Sequence, residues 1–252
     1  MNRINETLKR KNKNILSVFY TAGYPSLTDT LPLAEILQAN GVDMLEIGIP
    51  YSDPLADGPV IQETSHKALN NGMSVNVLFK QLEQVRKSIT IPVILMGYLN
   101  SMLQFGVEAF LARAAAVEID GIILPDLPPE VYDKEYKTFF VKYNIEIIFL
   151  VTTETTEERL HYIDSMSNSF IYLVSSAGIT GHKAAFNSLK LKNTIEKLSH
   201  PVLIGFGVSD KNSFRKACEA GNGAIIGTAF LKFLATGNYE TTIPQFIIGI
   251  RS

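Results

Sequence analysis

Residues 202–234 read VLIGFGVSDKNSFRKACEAGNGAIIGTAFLKFL, two strand-to-helix units in succession. The runs Val202 to Gly205 and Gly223 to Ile226 are short and rich in β-formers. Between them, Lys211 to Ala220 has helical spacing, with Asp210 placed to cap it and Gly221 to stop it. A second, shorter helix follows the second strand through Leu234. Both strands end in glycine, at Gly205-Phe206-Gly207 and Gly227-Thr228-Ala229. Glycine lets a backbone approach a phosphate closely, and a helix start supplies free N–H groups. Phosphate sites after the seventh and eighth strands are characteristic of one fold, the (β/α)8 barrel.

Working back toward the N-terminus, six more β-rich runs precede these two: Ile15 to Tyr20, Met44 to Gly48, Val93 to Gly97, Gly121 to Leu124, Glu146 to Val151 and Phe170 to Val174. Helical patterns separate them over Thr30 to Gln38, Val75 to Ser88, Glu108 to Val117, Glu130 to Tyr143 and Thr156 to Met166, with Asp29 and Thr155 as further cap candidates and Gly41 as a stop. Strict βα alternation implies parallel neighbours, and eight such units close into a barrel without edges. The expected architecture is therefore α/β, a TIM barrel forming one domain over residues 1–252, with an N-terminal helix and extra short helices. An open doubly wound sheet is the alternative; its usual signal, a GxGxxG after the first strand, is missing, since that turn reads TAGYP.

Composition agrees with one large core: of 252 residues, 46% are hydrophobic and 19% charged, with a net charge of -2. No basic field suggests nucleic acid or anionic lipid as a partner. The run Lys9, Arg10, Lys11 and Lys13 reads as a solvated first helix or arm. The lone Cys218 can form no intramolecular disulfide, and His66, His161, His182 and His200 have no metal-ligand spacing. The start MNRINETLKRKNKN lacks a signal-peptide core, and no apolar run is long enough for a membrane span, so a cytoplasmic setting is expected.

MLEIGIPYSDPLADGP, residues 44–59, is the stretch richest in chemistry. Alternation puts Met44, Glu46 and Gly48 on one face of the strand. A carboxylate among such apolar neighbours is catalytic or belongs to a buried polar layer, and the pattern leaves both open. Asp53 and Asp57 lie in the following loop, where turn chemistry is the simpler reading and the position above a barrel strand is the argument for function. The glycine- and serine-rich SSAGITGHKAAF, residues 175–186, reads as a mobile active-site lid or an ordinary linker. No lysine stands at a strand end where a Schiff-base aldolase would carry one, which favours carboxylate acid-base chemistry.

LEIGIPYSDPLADGP closely resembles the signature of tryptophan synthase alpha subunits, and the likeness continues through FYTAGYP, GFGVSD and GTAFLK over nearly the whole chain. The resemblance implies retro-aldol cleavage of indole-3-glycerol phosphate to indole and glyceraldehyde 3-phosphate. By motif, Glu46 would be the acid-base residue and Asp57 its partner. Tyr172 would lie near the reacting centre, with Phe19 and Leu124 against the indole. Thr180, Gly181, Gly207, Gly227 and Thr228 would hold the substrate's phosphate end. The resemblance further implies no cofactor in this chain and a pyridoxal-phosphate beta subunit as partner, in an alpha2beta2 assembly, facing loops near residues 50–60 and 99–106, with Pro54 and Leu55 as contacts. There are departures from the family pattern: Thr228 where serine is common, Ser176 where some members carry arginine, and a short C-terminal segment whose Pro244 weighs against a regular last helix. A stand-alone lyase, a non-catalytic activator of the beta subunit and another phosphosugar barrel are the competing readings. The last should show twofold internal repetition, which the Glu46 to Pro59 segment lacks.

Overall fold

Strand β1 (Ile15–Thr21) runs up the centre of the sheet, with β2 (Met44–Gly48) on one side and β9 (Gly223–Ile226) on the other. The remaining strands are β3 (Val93–Met96), β4 (Gly121–Ile123), β5 (Glu146–Ile147), β6 (Leu150–Thr152), β7 (Ile171–Val174) and β8 (Val202–Gly205). In this computed structural model, which describes residues 2–175, 188–205 and 207–251, the order is β5-β4-β3-β2-β1-β9-β8-β7-β6, with every pairing parallel.

The single strand expected over Glu146–Val151 is two segments, because the chain changes neighbours there. The Ile148 N–H donates to the Ile122 carbonyl at 3.0 Å, on the β4 side, and the Phe149 carbonyl accepts from the Tyr172 N–H at 2.9 Å, on the β7 side. Thus β5 and β6 are the two halves of one stave, and the broken stave joins both ends of the sheet. Nine segments make the eight-staved closed barrel.

Inside and outside faces alternate along β1. The Tyr20 hydroxyl donates to the Thr30 carbonyl at 2.8 Å, toward the helix layer, so Ser17 and Phe19 point the other way, into the barrel. The lower mouth is closed by helix Arg3–Arg10. Its Ile4 is fully buried, and a Cβ on Gly121 would come within 2.9 Å of the Ile4 methyl. The basic run at 9–13 has a structural use in part: Lys11 pairs with Asp43 at 2.7 Å and Lys13 donates to the Gly221 carbonyl at 2.9 Å.

Several helix expectations need correction. Residues 75–88 form two helices, Val75–Leu82 and Val85–Ser88. Gln84 leaves helical geometry between them (φ -108°, ψ 5°), and Val85 and Ile89 remain on the core at 1% exposure. Residues 129–143 pass from Pro129–Val131 through a π turn at Tyr132–Tyr136 into Lys137–Tyr143. Tyr132 packs edge-on against Phe140 and Phe149, each at 5.3 Å. Thr156, not Thr155, caps helix Glu157–Met166; the Thr155 hydroxyl instead accepts from the Thr152 N–H at 2.9 Å to close the turn. Asp29 precedes its helix without a side-chain cap bond, whereas Asp210 and Ser213 form a reciprocal capping box.

Pro244 does not prevent a last helix. Tyr239–Arg251 is helical around it, because Ile243, Ile247 and Ile250 form a stripe at 0–2% exposure whose burial outweighs one missing backbone bond. Arg251 anchors the end, donating to the Gly41 carbonyl and to Asp43, both at 2.6 Å. Among the described residues, no helix is long and apolar enough to cross a membrane.

Candidate active site

At the C-terminal ends of the strands lies a cavity of about 310 Å³, walled by Phe19, Ile61, Met96 and Tyr172 on one side and by Gly207, Gly227, Thr228 and Lys232 on the other. A narrower pocket, lined by Asp57, Tyr98 and Thr21, adjoins it through the shared side chains of Phe19, Ile61 and Met96.

Glu46 is fully buried on β2, with Phe19 of β1 as its register partner. It is not among the residues lining either pocket, but its register partner Phe19 lines both. Its Oε1 accepts from the Ser17 hydroxyl at 2.8 Å, while Oε2 is buried without a hydrogen-bond partner. Burial raises this carboxyl to about 7, and the Ser17 bond holds it back from going higher. An unpaired oxygen is a cost that a purely structural polar layer would avoid, although among the described residues Gln81, Ser169 and Arg251 also carry a buried side-chain atom without a partner.

Asp57 takes the turn role read for it, and it also lines the narrower pocket. Its N–H closes a turn onto the Pro54 carbonyl at 2.9 Å, and its Oδ2 accepts from the Tyr98 hydroxyl at 3.0 Å. Burial raises it to about 6, partly offset by that hydrogen bond. Tyr98 is fixed in turn: its oxygen accepts from the Ala56 N–H at 3.0 Å, and its ring stacks on Tyr51 with centroids 5.0 Å apart. Asp53 has only the turn role, exposed and accepting from the Ser52 hydroxyl at 2.6 Å.

Tyr172 is the second residue of β7 rather than its last. It is 5% exposed; burial pushes its hydroxyl well up, and the charges of Glu46 and Asp57 push it further. One tyrosine therefore senses both carboxylates. The close fit depends on Gly205, where a Cβ would fall 2.2 Å from the Tyr172 hydroxyl oxygen and 2.4 Å from its ring. Gly205→Ala should displace the Tyr172 ring, lower stability by about 1–3 kcal/mol and reduce turnover. Urea denaturation and a rate assay on the same preparation check this, and a variant with unchanged midpoint and rate would refute the packing argument.

Phe19 makes a similar demand on its neighbours. A Cβ on Gly48 would come within 2.6 Å of the Phe19 ring, and one on Gly227 within 3.3 Å. Gly227 opens helix Thr228–Leu234, and its carbonyl accepts the first helical bond, from the Leu231 N–H at 2.9 Å. The N–H groups of Thr228 and Ala229 have no carbonyl within the helix to bond, and they sit at the cavity beside Gly207, which adopts φ +78°. The exposed Lys232, one turn along the helix, adds a positive charge at that end.

Leu124 is not among the residues lining this cavity; it lines another, with Asp126, Phe149 and Leu150, and Met96 contributes to the apolar wall here. Thr180, Gly181 and Ser176, with all but Ser175 of the 175–186 segment, lie outside the described residues. Reasoning from the sequence missed Ser17, Tyr98 and Lys232. Lys232 stands within the quoted GTAFLK motif, but Ser17 and Tyr98 carry no motif of their own. The outer surface is also partly corrected: residues 99–105 are a helix rather than a loop, tethered by the Leu99 N–H to Asp126 at 2.9 Å. Leu55 is 88% and Leu103 44% exposed on this side. Among the described residues, no group of three or more His, Cys, Asp or Glu could hold a metal ion.

The tryptophan synthase alpha chain family profile matches residues 6–245. The alpha chain of Flavobacterium johnsoniae is 48% identical over 256 residues, covering 100% of both chains, and that of Parabacteroides distasonis is 46% identical, covering 93% of both. A crystal structure of the alpha chain from Legionella pneumophila superposes with a TM-score of 0.89 at 32% identity, covering 100% of this chain and 96% of that one. A chain in the aminoacrylate-bound tryptophan synthase of M. tuberculosis gives 0.88 at 26% identity, with 100% and 98% covered. With a fold, a full-length match and a carboxylate pair in agreement, this chain belongs to the tryptophan synthase alpha chain family.

Proposed function

We propose that the chain cleaves indole-3-glycerol phosphate by a retro-aldol step in which Glu46 moves the protons and Asp57 stabilises the charge. The supporting observation is the fully buried Glu46 carboxyl, with one oxygen unpartnered and an affinity that leaves it half-protonated near neutrality. Cleavage needs a proton delivered to indole C3, giving an indolenine cation, and a proton taken from the hydroxyl on the adjacent chain carbon. The C–C bond pair then returns to the ring, restoring neutral indole, and the hydroxyl carbon becomes the aldehyde. One proton enters and one leaves, so a single group that both donates and accepts is sufficient. Asp57, ionised above about pH 6, accepts from the ring N–H and opposes the positive charge that develops there. Phe19 and Met96 bracket the indole.

The phosphate end belongs at Gly207, Gly227 and Thr228, with Lys232 supplying charge. Lys232→Ala should raise KM for indole-3-glycerol phosphate about fivefold, the equivalent of about 1 kcal/mol for an exposed charge contact, and leave kcat near the parent value. Steady-state kinetics check this; an unchanged KM would place the phosphate elsewhere.

A beta subunit would dock over the exposed Leu55 and helix 99–105, with the buried Pro54 stiffening the loop beneath, receive the indole and supply its own pyridoxal phosphate, with an alpha2beta2 assembly as the expected form. The alpha chain's own steps need no cofactor. The deciding experiment is the rate of indole release by the purified chain, alone and with a stoichiometric beta subunit. Slow release that the partner strongly stimulates supports the alpha-subunit reading. Fast release alone points to a stand-alone lyase, and no release under either condition removes the proposal.

A further inference from the structure

We propose that Ser17 is a positioning residue for the reaction: its hydroxyl tethers one oxygen of Glu46 from within the barrel, leaving the other as the oxygen that exchanges protons with substrate. The inference rests on the reading of Glu46 as the acid-base group. Its basis is geometric. Ser17 and Glu46 are both fully buried, and the hydroxyl donates to Oε1 at 2.8 Å. Ser17 shares its face of β1 with Phe19, two residues further along, and is paired with Met44 while Phe19 is paired with Glu46. Phe19 lines the cavity and Ser17 does not. The tether therefore reaches Glu46 from the N-terminal side of the barrel, away from the cavity, and the oxygen it leaves is Oε2, buried and unpartnered.

A serine in this row has one strong reason to be there. Ile15, the next residue on the same face toward the N-terminus, is apolar, as is Phe19, and an unbonded hydroxyl between them would be costly. Serine can donate to the carboxylate and also to the carbonyl oxygen of the neutral acid. The same bond persists whether Glu46 is ionised or carries its proton on Oε2, so the carboxyl need not turn during a cycle. Fixing one oxygen removes the rotation that would otherwise divide the proton between two sites, and it lowers the affinity of the carboxyl for that proton. Among the described residues, the ionisable groups coupled to this arrangement are Tyr172 of β7, which senses Glu46, and Asp57 of the loop after β2, which acts on the same tyrosine.

The test uses the full chain with its beta subunit and compares wild type, Ser17→Ala, Ser17→Thr and Glu46→Gln in the pH dependence of kcat for indole release. Ser17→Ala should lower kcat about tenfold and leave KM within about twofold. The pH limb governed by Glu46 should move to higher pH, and Ser17→Thr, which keeps the donor, should restore the limb toward its original position. Difference infrared spectroscopy reads the carboxyl directly. The C=O stretch of protonated Glu46, identified by its loss in Glu46→Gln, should persist to higher pH in Ser17→Ala. A Ser17→Ala chain with unaltered limb and infrared titration, or one with raised kcat, would overturn the proposal. If wild type releases no indole, the functional reading fails, and the infrared titration still decides whether Ser17 tethers Glu46.

Discussion

Glu46→Gln should lower the rate of indole release by about 10²–10⁴-fold, the usual contribution of a positioned acid-base group, without loss of the fold. The Gln side chain keeps an oxygen for the Ser17 hydroxyl and fills the same volume, but it can neither give nor take a proton. Stability should move the other way. The folded-state value of Glu46, about 7, lies above its ordinary value of 4.5. Between those pH values the native chain holds a proton that the unfolded chain has released, so stability is full below about 4.5 and declines until about 7. The Gln variant cannot ionise and escapes that loss. Its melting temperature should match wild type near pH 4.5 and exceed it in the alkaline range above the folded-state value. Thermal melts across pH together with the indole assay check both halves. Near-normal turnover would remove Glu46 from the chemistry, and a variant less stable at alkaline pH would contradict the burial argument.

Asp57→Asn comes next in expected size, at about 10²–10³-fold in kcat, as for the loss of one preorganised charge partner in a water-poor site. The Asn carbonyl can still accept from the Tyr98 hydroxyl, so the loop between Ile49 and Gly58 should keep its conformation. What disappears is the negative charge that the proposed mechanism sets against the ring N–H. In wild type that charge is lost as the pH falls through about 6, so activity should decline on the acid side there, and the variant should lose that part of the profile. Because the raised value reflects the cost of holding the charge buried, Asp57 too gives up stability as pH rises from its ordinary 3.8 through about 6. An Asp57→Asn enzyme with wild-type kcat and an unchanged acid limb would assign Asp57 to the turn alone.

Much of this was legible in the chain before folding. The alternation of β-rich runs and helical spacing fixed a parallel βα architecture, because period-2 and period-3.6 patterns are local properties. Strands β2, β8 and β9 fall within the boundaries read from sequence, each being a short apolar run bounded by a glycine. Glu46 stood out as a carboxylate on an apolar strand, whereas Asp57 read by pattern as turn chemistry and entered as its partner through the resemblance to the family motif. Gly207 and Gly227 read as candidates for a phosphate end because glycine permits a close backbone approach, whereas the space that Gly205 and Gly48 leave for Tyr172 and Phe19 is visible only in the fold.

Other features exist only between elements. The break in the fifth stave at Ile148–Phe149 arises because that stave must bond to β4 below the break and to β7 above it, a requirement of closure that no window of residues contains. Pro244 argues locally against a helix, and burial of Ile243, Ile247 and Ile250 overrides it. Leu124 ends one strand read from sequence and Met96 lies within another, and only the folded chain shows that Met96 lines the larger cavity while Leu124 lines a different one. Ser17 and Tyr98 are unremarkable in sequence, 29 and 41 positions from the carboxylates they hold. The chain's own pattern determined which residues could do chemistry. Tertiary structure alone decided their protonation, since the affinities of Glu46 and Asp57 are set by desolvation and by hydroxyls brought from distant strands and loops.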